Sequence, residues 1–412
     1  MKKLLFSIVV FSAAVISAET LDRPSGIKIG QRMTLRPYVS ASATFDSNVG
    51  GRHDDKKTDV MWTVSPTLAL DYRADNWSLL LDVFYNYHAY SDSGNAHDHN
   101  QHSYGETFRW NWSDTQGAEK GWSLMLSETY QRITMSDDIA LGDGRGYTAD
   151  RDQLTVQGAI QRRFNENLHG DVNANYYYLH YDNDTGGDIP ALYGWQRWQA
   201  GLEAGFAPSQ WTDFLISAGY MGYSQDNTAK SDLSRNSHGY TVQGGLGSYM
   251  TERISYRALA GWSHFEYGGD SGSSDDGFVY TLSGNWMISE SLQTMLMASS
   301  YYQPSERELS SRSRVDALSW GVAKSFIRGK LRGTLDVTYR HETHEAVGSN
   351  SSRDYELDIA TFRLGLNYSL NRFFSFFCYG EYQRSWNDES SRDHGTYDYD
   401  RLRGTVGVRL SY

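Results

Sequence analysis

The chain has a single cysteine, Cys378, only six prolines in 412 residues, and no long apolar run beyond its first sixteen residues. One cysteine excludes an intramolecular disulfide, so an exported form of this chain is held by hydrogen bonds and packing instead. A membrane-crossing helix needs about 20 consecutive apolar residues, and nothing after Ile16 supplies them. Basic residues are in deficit, 38 Lys and Arg against 50 Asp and Glu, and the formal charge of -12 argues against nucleic acid as a partner. No Cys or His spacing fits a zinc site, and no cofactor or metal is expected. The negative mean hydropathy suits a soluble secreted protein. It equally suits a transmembrane β-barrel, in which half of every strand faces water.

What the chain does have begins with Lys2 and Lys3, an apolar stretch over 4–16 and Ser17-Ala18. This reads as a signal peptide over 1–18, with a membrane anchor as the alternative, too short for a span. A polar periplasmic lead over 19–32 and one barrel over 33–412 are expected after it. Thirty Tyr, 12 Trp and 39 Gly fit a barrel with aromatic belts at both membrane interfaces.

At the other end, Leu402, Val406, Val408, Leu410 and Tyr412 alternate with Arg401, Arg403, Thr405, Arg409 and Ser411. That period of two belongs to a strand, apolar on one face only. A soluble sandwich also accepts such a strand. The stretch resembles the carboxy-terminal signal of bacterial outer-membrane barrels, a terminal aromatic preceded by apolar residues at every second position. On that resemblance Val408, Leu410 and Tyr412 form the assembly signal, and the barrel assembly machinery, outer-membrane lipid and lipopolysaccharide are the partners.

Between the ends, two kinds of connection alternate. Long polar, acidic ones cover 46–58, 91–102, 134–150, 182–193, 224–237, 266–277, 304–313, 344–355 and 387–397. Short ones cover 73–76, 114–121, 165–167, 207–210, 251–252, 289–291, 327–329 and 371–372. The repeat is a hairpin of roughly 40 residues, seen nine times, which predicts an all-β, antiparallel up-and-down transmembrane barrel of about 18 strands. A propeller repeats at similar length but uses four strands per blade, against two long strands here. Trp77, Trp110, Trp112, Trp122, Trp211 and Trp286 lie by short turns, and Tyr85, Tyr130, Tyr220, Tyr302 and Tyr382 are among the tyrosines near long loops. Short turns then face the periplasm and long loops the outside. Glu128 breaks the scheme by falling in the lipid-facing phase midway along its strand; a bulge, a shifted register or a position nearer the rim would each account for it.

The opening strand and its loop, LRPYVSASATFDSNVGG over 35–51, resemble the start of the putative β-barrel porin 2 family: an Arg-Pro pair, an alternating strand, then an Asp-x-Asn step at Asp46-Ser-Asn48. The resemblance implies a porin-like barrel of the bacterial outer membrane, in several members associated with exopolysaccharide. It carries over no catalytic residue.

Three features invite other chemistry. The histidines His97, His99 and His102 lack the intervals of a known metal site and read as a solvated loop. The stretch from Asp182 to Asp188 has Gly186 where a calcium loop needs a ligand, and Tyr193 where it needs the closing Glu. An outer-membrane lipid hydrolase is the enzymatic alternative. However, Ser237 and His238, like Ser263 and His264, are sequence neighbours, which points them to opposite faces of a strand. His341 and His344 do not have zincin order. No enzyme is expected.

An eighteen-stranded barrel is too wide for side chains to fill and defaults to an aqueous channel. Passive passage of small polar or anionic solutes or saccharides is the expected function; the alternative is a non-conducting surface barrel that binds or assists export of exopolysaccharide. The loop over 134–150 is the candidate plug. Strand phase assigns the pore lining. On the last four strands and the first, Arg36, Lys330, Arg332, Arg340, Arg363, Arg401, Arg403 and Arg409 face only Asp336, Glu342 and Glu381. Elsewhere Arg73, Arg109, Arg163, Arg197 and Arg257 are matched by Asp71, Asp82, Asp171, Glu203 and Asp213. One arc of the wall is expected to be positive, with more charge than pairing absorbs.

Overall fold

The structure is a computed structural model that describes residues 26–48, 56, 58–91, 101–114, 121–136, 148–182, 194–209, 211–225, 236–251, 253–267, 274–304, 311–346, 355–387 and 398–412. Among them are nineteen strands: β1 (Ile27–Ile29), β2 (Met33–Asp46), β3 (Asp59–Arg73), β4 (Trp77–Tyr90), β5 (Gln101–Ser113), β6 (Gly121–Ser136), β7 (Thr148–Arg163), β8 (Leu168–Asp182), β9 (Trp195–Ser209) and β10 (Thr212–Gln225). The remainder are β11 (Ser237–Thr251), β12 (Ile254–Tyr267), β13 (Ser274–Ser289), β14 (Leu292–Pro304), β15 (Ser311–Phe326), β16 (Leu331–Ala346), β17 (Tyr355–Ser369), β18 (Phe374–Asn387) and β19 (Tyr399–Ser411). From β2 onward each strand pairs antiparallel with the next, and β19 pairs with β2 from Arg403 opposite Asp46 to Ser411 opposite Tyr38. The eighteen strands β2 to β19 close into a barrel. Among the described residues no helix is long and apolar enough to cross a membrane.

Part of the lead before the barrel is itself a strand. Ile27–Ile29 folds back through a tight turn and pairs with Met33 to Leu35, as an extra strand outside the closed ring. Three residues are too few to show a period, so pattern reading misses the element. Tyr412 donates its backbone N–H to Pro37 O at 3.2 Å, just beyond the last β19 ladder pair, which leaves the stretch of β2 that β1 occupies.

Burial shows which face of the wall is which. Leu402, Val406, Leu410 and Tyr412 are at least half exposed, while Arg401 in the opposite phase is buried. This inverts the soluble pattern and is the arrangement of a transmembrane barrel, whose apolar band faces outward. Contacts confirm the assignment, because side chains reach over intervening strands only on a concave face. Arg257 of β12 bonds Glu203 of β9 across two strands, at 2.8 Å for the Nη1 to Oε1 contact. His169 of β8 meets Asp213 of β10 at 2.6 Å, crossing Gly205 of β9. A Cβ at Gly205 would collide with the His169 ring, so glycine is what lets the imidazole cross.

Outward aromatics mark two heights. At the short-turn end Tyr72 stacks on Trp77 at 4.7 Å, and Arg162 lies over Trp122 and Phe164 at 4.5 and 4.9 Å. Arg372 lies over Phe373 at 4.4 Å and Lys324 over Phe326 at 4.9 Å. A cation over an aromatic face at a membrane interface keeps its charge toward headgroups while its stem lies on apolar surface.

Candidate functional site: the inner wall

The site is the concave face, and strand period builds it: odd residues of β8 to β13 and even residues of β2 and β16 all point inward. Ion pairs run along it. Arg36 Nη1 and Asp71 Oδ2 lie 3.3 Å apart, and Arg73 holds the same carboxylate at 3.2 Å. Arg340 Nε is 2.7 Å from Glu342, and Arg363 Nε is 2.5 Å from Glu381. Gln161 and Asn173 donate to Asp171 at 2.9 and 3.2 Å. Arg109, Arg163 and Asp82 take inward positions on β5, β7 and β4. Asp336 stands directly opposite Arg363 in the β16 to β17 ladder.

At the seam the structure changes the sequence account. Asp46, expected as the first loop residue, is the last residue of β2 and points inward. Its carboxylate takes Arg401 Nη2 at 2.6 Å and Arg403 Nε at 2.9 Å, and Arg403 also reaches Glu381 at 3.8 Å. The surplus of five basic residues is therefore overstated: Asp46 joins the three acids of the arc and the excess falls to four, while Arg36 leans on Asp71 of β3, a carboxylate it shares with Arg73. Lys330 lies in the exposed turn after a 3-10 segment over Ile327–Gly329, at the rim of the wall rather than along a strand. Arg409 stacks over Tyr38 at 4.9 Å, with Ser40 and Ser375 as its ladder neighbours. Arg332 sits near the start of β16, so Arg36, Arg332, Arg409 and Lys330 all gather toward the short-turn end. The long-connection end holds Asp46, Asp59 and Glu342, with Arg401 and Arg403 paired to Asp46 and Arg340 to Glu342.

The upper inner wall also carries apolar residues that the charge reading passed over. Tyr177, Trp195 and Tyr223, on β8, β9 and β10, stack at 4.5 and 5.3 Å, with Arg197 over Tyr177 and Trp195 at 5.8 Å from each. Tyr355, Leu357 and Ile359 form a second cluster on β17. Val315 and Leu357 are wholly buried although they stand on the inner face near the long-connection end. Their signal in the sequence is an apolar residue in the polar phase next to a loop, which averaging over a strand hides.

The remaining sequence features fall as follows. Ser237 and Ser263 are inward and buried, while His238 and His264 point outward and each contacts Glu266. His341 pairs with Asp358 outside and His344 with Glu342 inside. Glu128 stays outward: the ladders of β6 with β5 and β7 run without a bulge or register shift, and it lies two residues below Tyr130, which bonds Asp152 at 2.8 Å. His102 packs beside Tyr85. The signal peptide, His97 and His99, the calcium-like stretch beyond Asp182 and most of the plug loop lie outside the described residues.

Residues 219–412 match the model of the family described as Putative beta-barrel porin 2, and residues 26–187 match a second model, Putative MetA-pathway of phenol degradation. No curated protein matches the chain. Among solved structures it is similar to the siderophore receptor PiuA from Acinetobacter baumannii, at 10% identity over 91% of this chain and 82% of that one, with a TM-score of 0.48. It is also similar to the FrpB iron transporter from Neisseria meningitidis, at 9% identity over 93% and 82%, with a TM-score of 0.47. The opening strand that resembles the porin 2 family lies in the part matched by the other model, so the match to the porin 2 model rests on the later strands. Residues 219–412, from within β10 to Tyr412, are thus similar to the Putative beta-barrel porin 2 family, in a chain built as a closed eighteen-stranded antiparallel β-barrel.

Proposed function

We propose that this protein is a channel of the bacterial outer membrane for passive passage of small polar solutes, anionic ones and saccharides among them. The observation that carries the reading is the inner wall: a closed ring of eighteen strands whose inward phase is lined by hydrogen-bonded and ion-paired polar groups. At that strand number side chains do not fill the bore. Lipid surrounds the outward face, lipopolysaccharide meets the outer rim, and Val408, Leu410 and Tyr412 address the barrel to the assembly machinery. The serines of the two Ser-His neighbours point away from their histidines, which supports a non-enzymatic reading.

A second reading has its own observation. Inward residues near the long-connection end, Val315, Leu357 and Phe265, are covered almost completely, as in a barrel narrowed or closed at its outer mouth. Such a barrel binds, or assists export of, exopolysaccharide without conducting. Recording single channels from purified protein in a planar bilayer separates the two. Steady open steps support the channel; silence from folded, heat-modifiable protein supports the closed barrel.

A further inference from the structure

The outward face of the barrel carries an apolar band, and at the closing seam that band is concave. On β18 and β19, Gly380 and Gly404 stand directly opposite each other in the ladder, next to Leu364 of β17 on one side and Phe45 of β2 on the other. A Cβ placed on either glycine would meet no atom within 4 Å. Bulkier neighbours rise around this pair, and the result is a groove of about 440 Å³ lined by Phe45, Leu364, Leu366, Cys378 and Val406. The two glycines lie near mid-strand, between Phe373 packed on Tyr412 at one end and Arg384 over Trp386 at the other. The depth is therefore that of the hydrocarbon core.

From this we infer that the groove is a binding site for one acyl chain of a bilayer lipid, which fills the thin part of the wall where the barrel closes. The inference rests on the reading of this barrel as membrane-spanning. Shape supplies the preference, because a chain in the groove touches protein on three sides, where a chain on a convex wall touches it on one. Each carbon contact contributes only about 0.1–0.2 kcal/mol, but the contacts accumulate along the chain. A protein partner fits less well. Apolar surface gives no drive for association within lipid, and interfaces there use hydrogen bonds or extended packing, whereas this groove presents apolar side chains.

The experiment uses the full chain in vesicles of phosphatidylethanolamine and phosphatidylglycerol containing a phosphatidylethanolamine with a diazirine midway along one acyl chain. After illumination, lipid adducts are mapped by peptide mass spectrometry. Adducts around Cys378 and Val406 are expected to exceed those around Ala200 and Ala218, outward residues of the opposite wall, by about fivefold, the excess given by a preference near 1 kcal/mol. Gly380→Leu and Gly404→Leu, which fill the groove from within, are expected to remove the excess. Gly284→Leu, which adds the same bulk at another position where a Cβ meets nothing, is expected to leave it. Equal adducts on both walls, or an excess that survives both groove-filling variants, overturn the site. Absence of adducts everywhere overturns the membrane-spanning reading itself, so the two failures are distinguishable.

Discussion

Arg401 holds Asp46 through Nε and Nη2, at 2.9 and 2.6 Å from the same carboxylate oxygen, and so ties the last strand of the ring to the first across 355 positions of sequence. Both side chains are buried, and Arg403 shares the carboxylate. Around them Ser47 N–H donates to Leu402 O at 2.9 Å, Leu402 N–H donates to Ser47 Oγ at 2.8 Å, and Asn48 donates to Asp400 O at 3.0 Å. The seam is thus bolted at its long-connection end.

Removing that bolt should open the barrel sooner. Asp46→Asn keeps the shape but removes the negative charge that Arg401 and Arg403 share, with only the longer 3.8 Å contact of Arg403 to Glu381 remaining, and breaking a buried pair costs about 3–5 kcal/mol. Lys56 also pairs with a seam residue, Asp400, but both are exposed, and such pairs contribute at most about 1 kcal/mol. The expected order of unfolding midpoints in urea is Asp46→Asn well below Lys56→Ala, with Lys56→Ala close to parent. Equal midpoints for the two variants would show that the buried pair does not hold the seam.

The seam also shows what a sequence exposes and what it hides. Alternation made the eighteen strands and their inward phase legible, because a period of two assigns every side chain to a face once one apolar row is recognised. Asp46 was hidden because Asp-Ser-Asn reads as the start of a turn, whereas the ladder with β3 runs one residue further, to Asp59 opposite Asp46. The partnership of Arg257 with Glu203 was hidden for a different reason. It joins strands that are not neighbours, and only the curvature of the closed ring brings the two side chains together.

That long-range pair makes a second prediction. Arg257 stands opposite Gly247 and reaches Glu203 over two strands, while the Glu203 side chain is itself buried. Arg257→Ala should destabilise the barrel by about 3 kcal/mol because a carboxylate is left unpaired inside. Adding Glu203→Gln should recover part of the loss, the non-additivity expected of residues in contact. A double variant equal to the sum of the singles would mean the two side chains act independently.

The carboxy-terminus makes a third. Tyr412 is outward, two thirds exposed, and packs on Phe373 at 6.4 Å in the short-turn girdle. Tyr412→Asp places a charge in the outward row, where it is disfavoured. If the terminal residues are also the recognition element, the variant should be exported yet accumulate unfolded. The measurement is the fraction of heat-modifiable protein in isolated outer membranes; parent-like amounts would remove Tyr412 from assembly.

The seam and the bore meet in a last prediction, on ion selectivity. Pairing neutralises much of the basic arc, yet a cation stacked on an aromatic ring keeps its charge, as Arg409 does over Tyr38. Together with Lys330 at the rim, this leaves the short-turn end of the arc positive. A passage lined by one sign of charge concentrates the opposite ion, so the parent channel should prefer anions modestly. In 1 M salt the screening length is about 3 Å and the preference should vanish. Two substitutions should move it in opposite directions from opposite ends of the bore. Arg409→Gln with Lys330→Gln removes positive charge and should lower the anion preference, while Asp46→Asn exposes Arg401 and Arg403 and should raise it. Reversal potentials in a salt gradient across a planar bilayer read both, and the opposed shifts distinguish charge from any general loosening of the wall, which would move the two variants the same way. A cation-selective parent, or shifts of the same sign, would refute the positive arc.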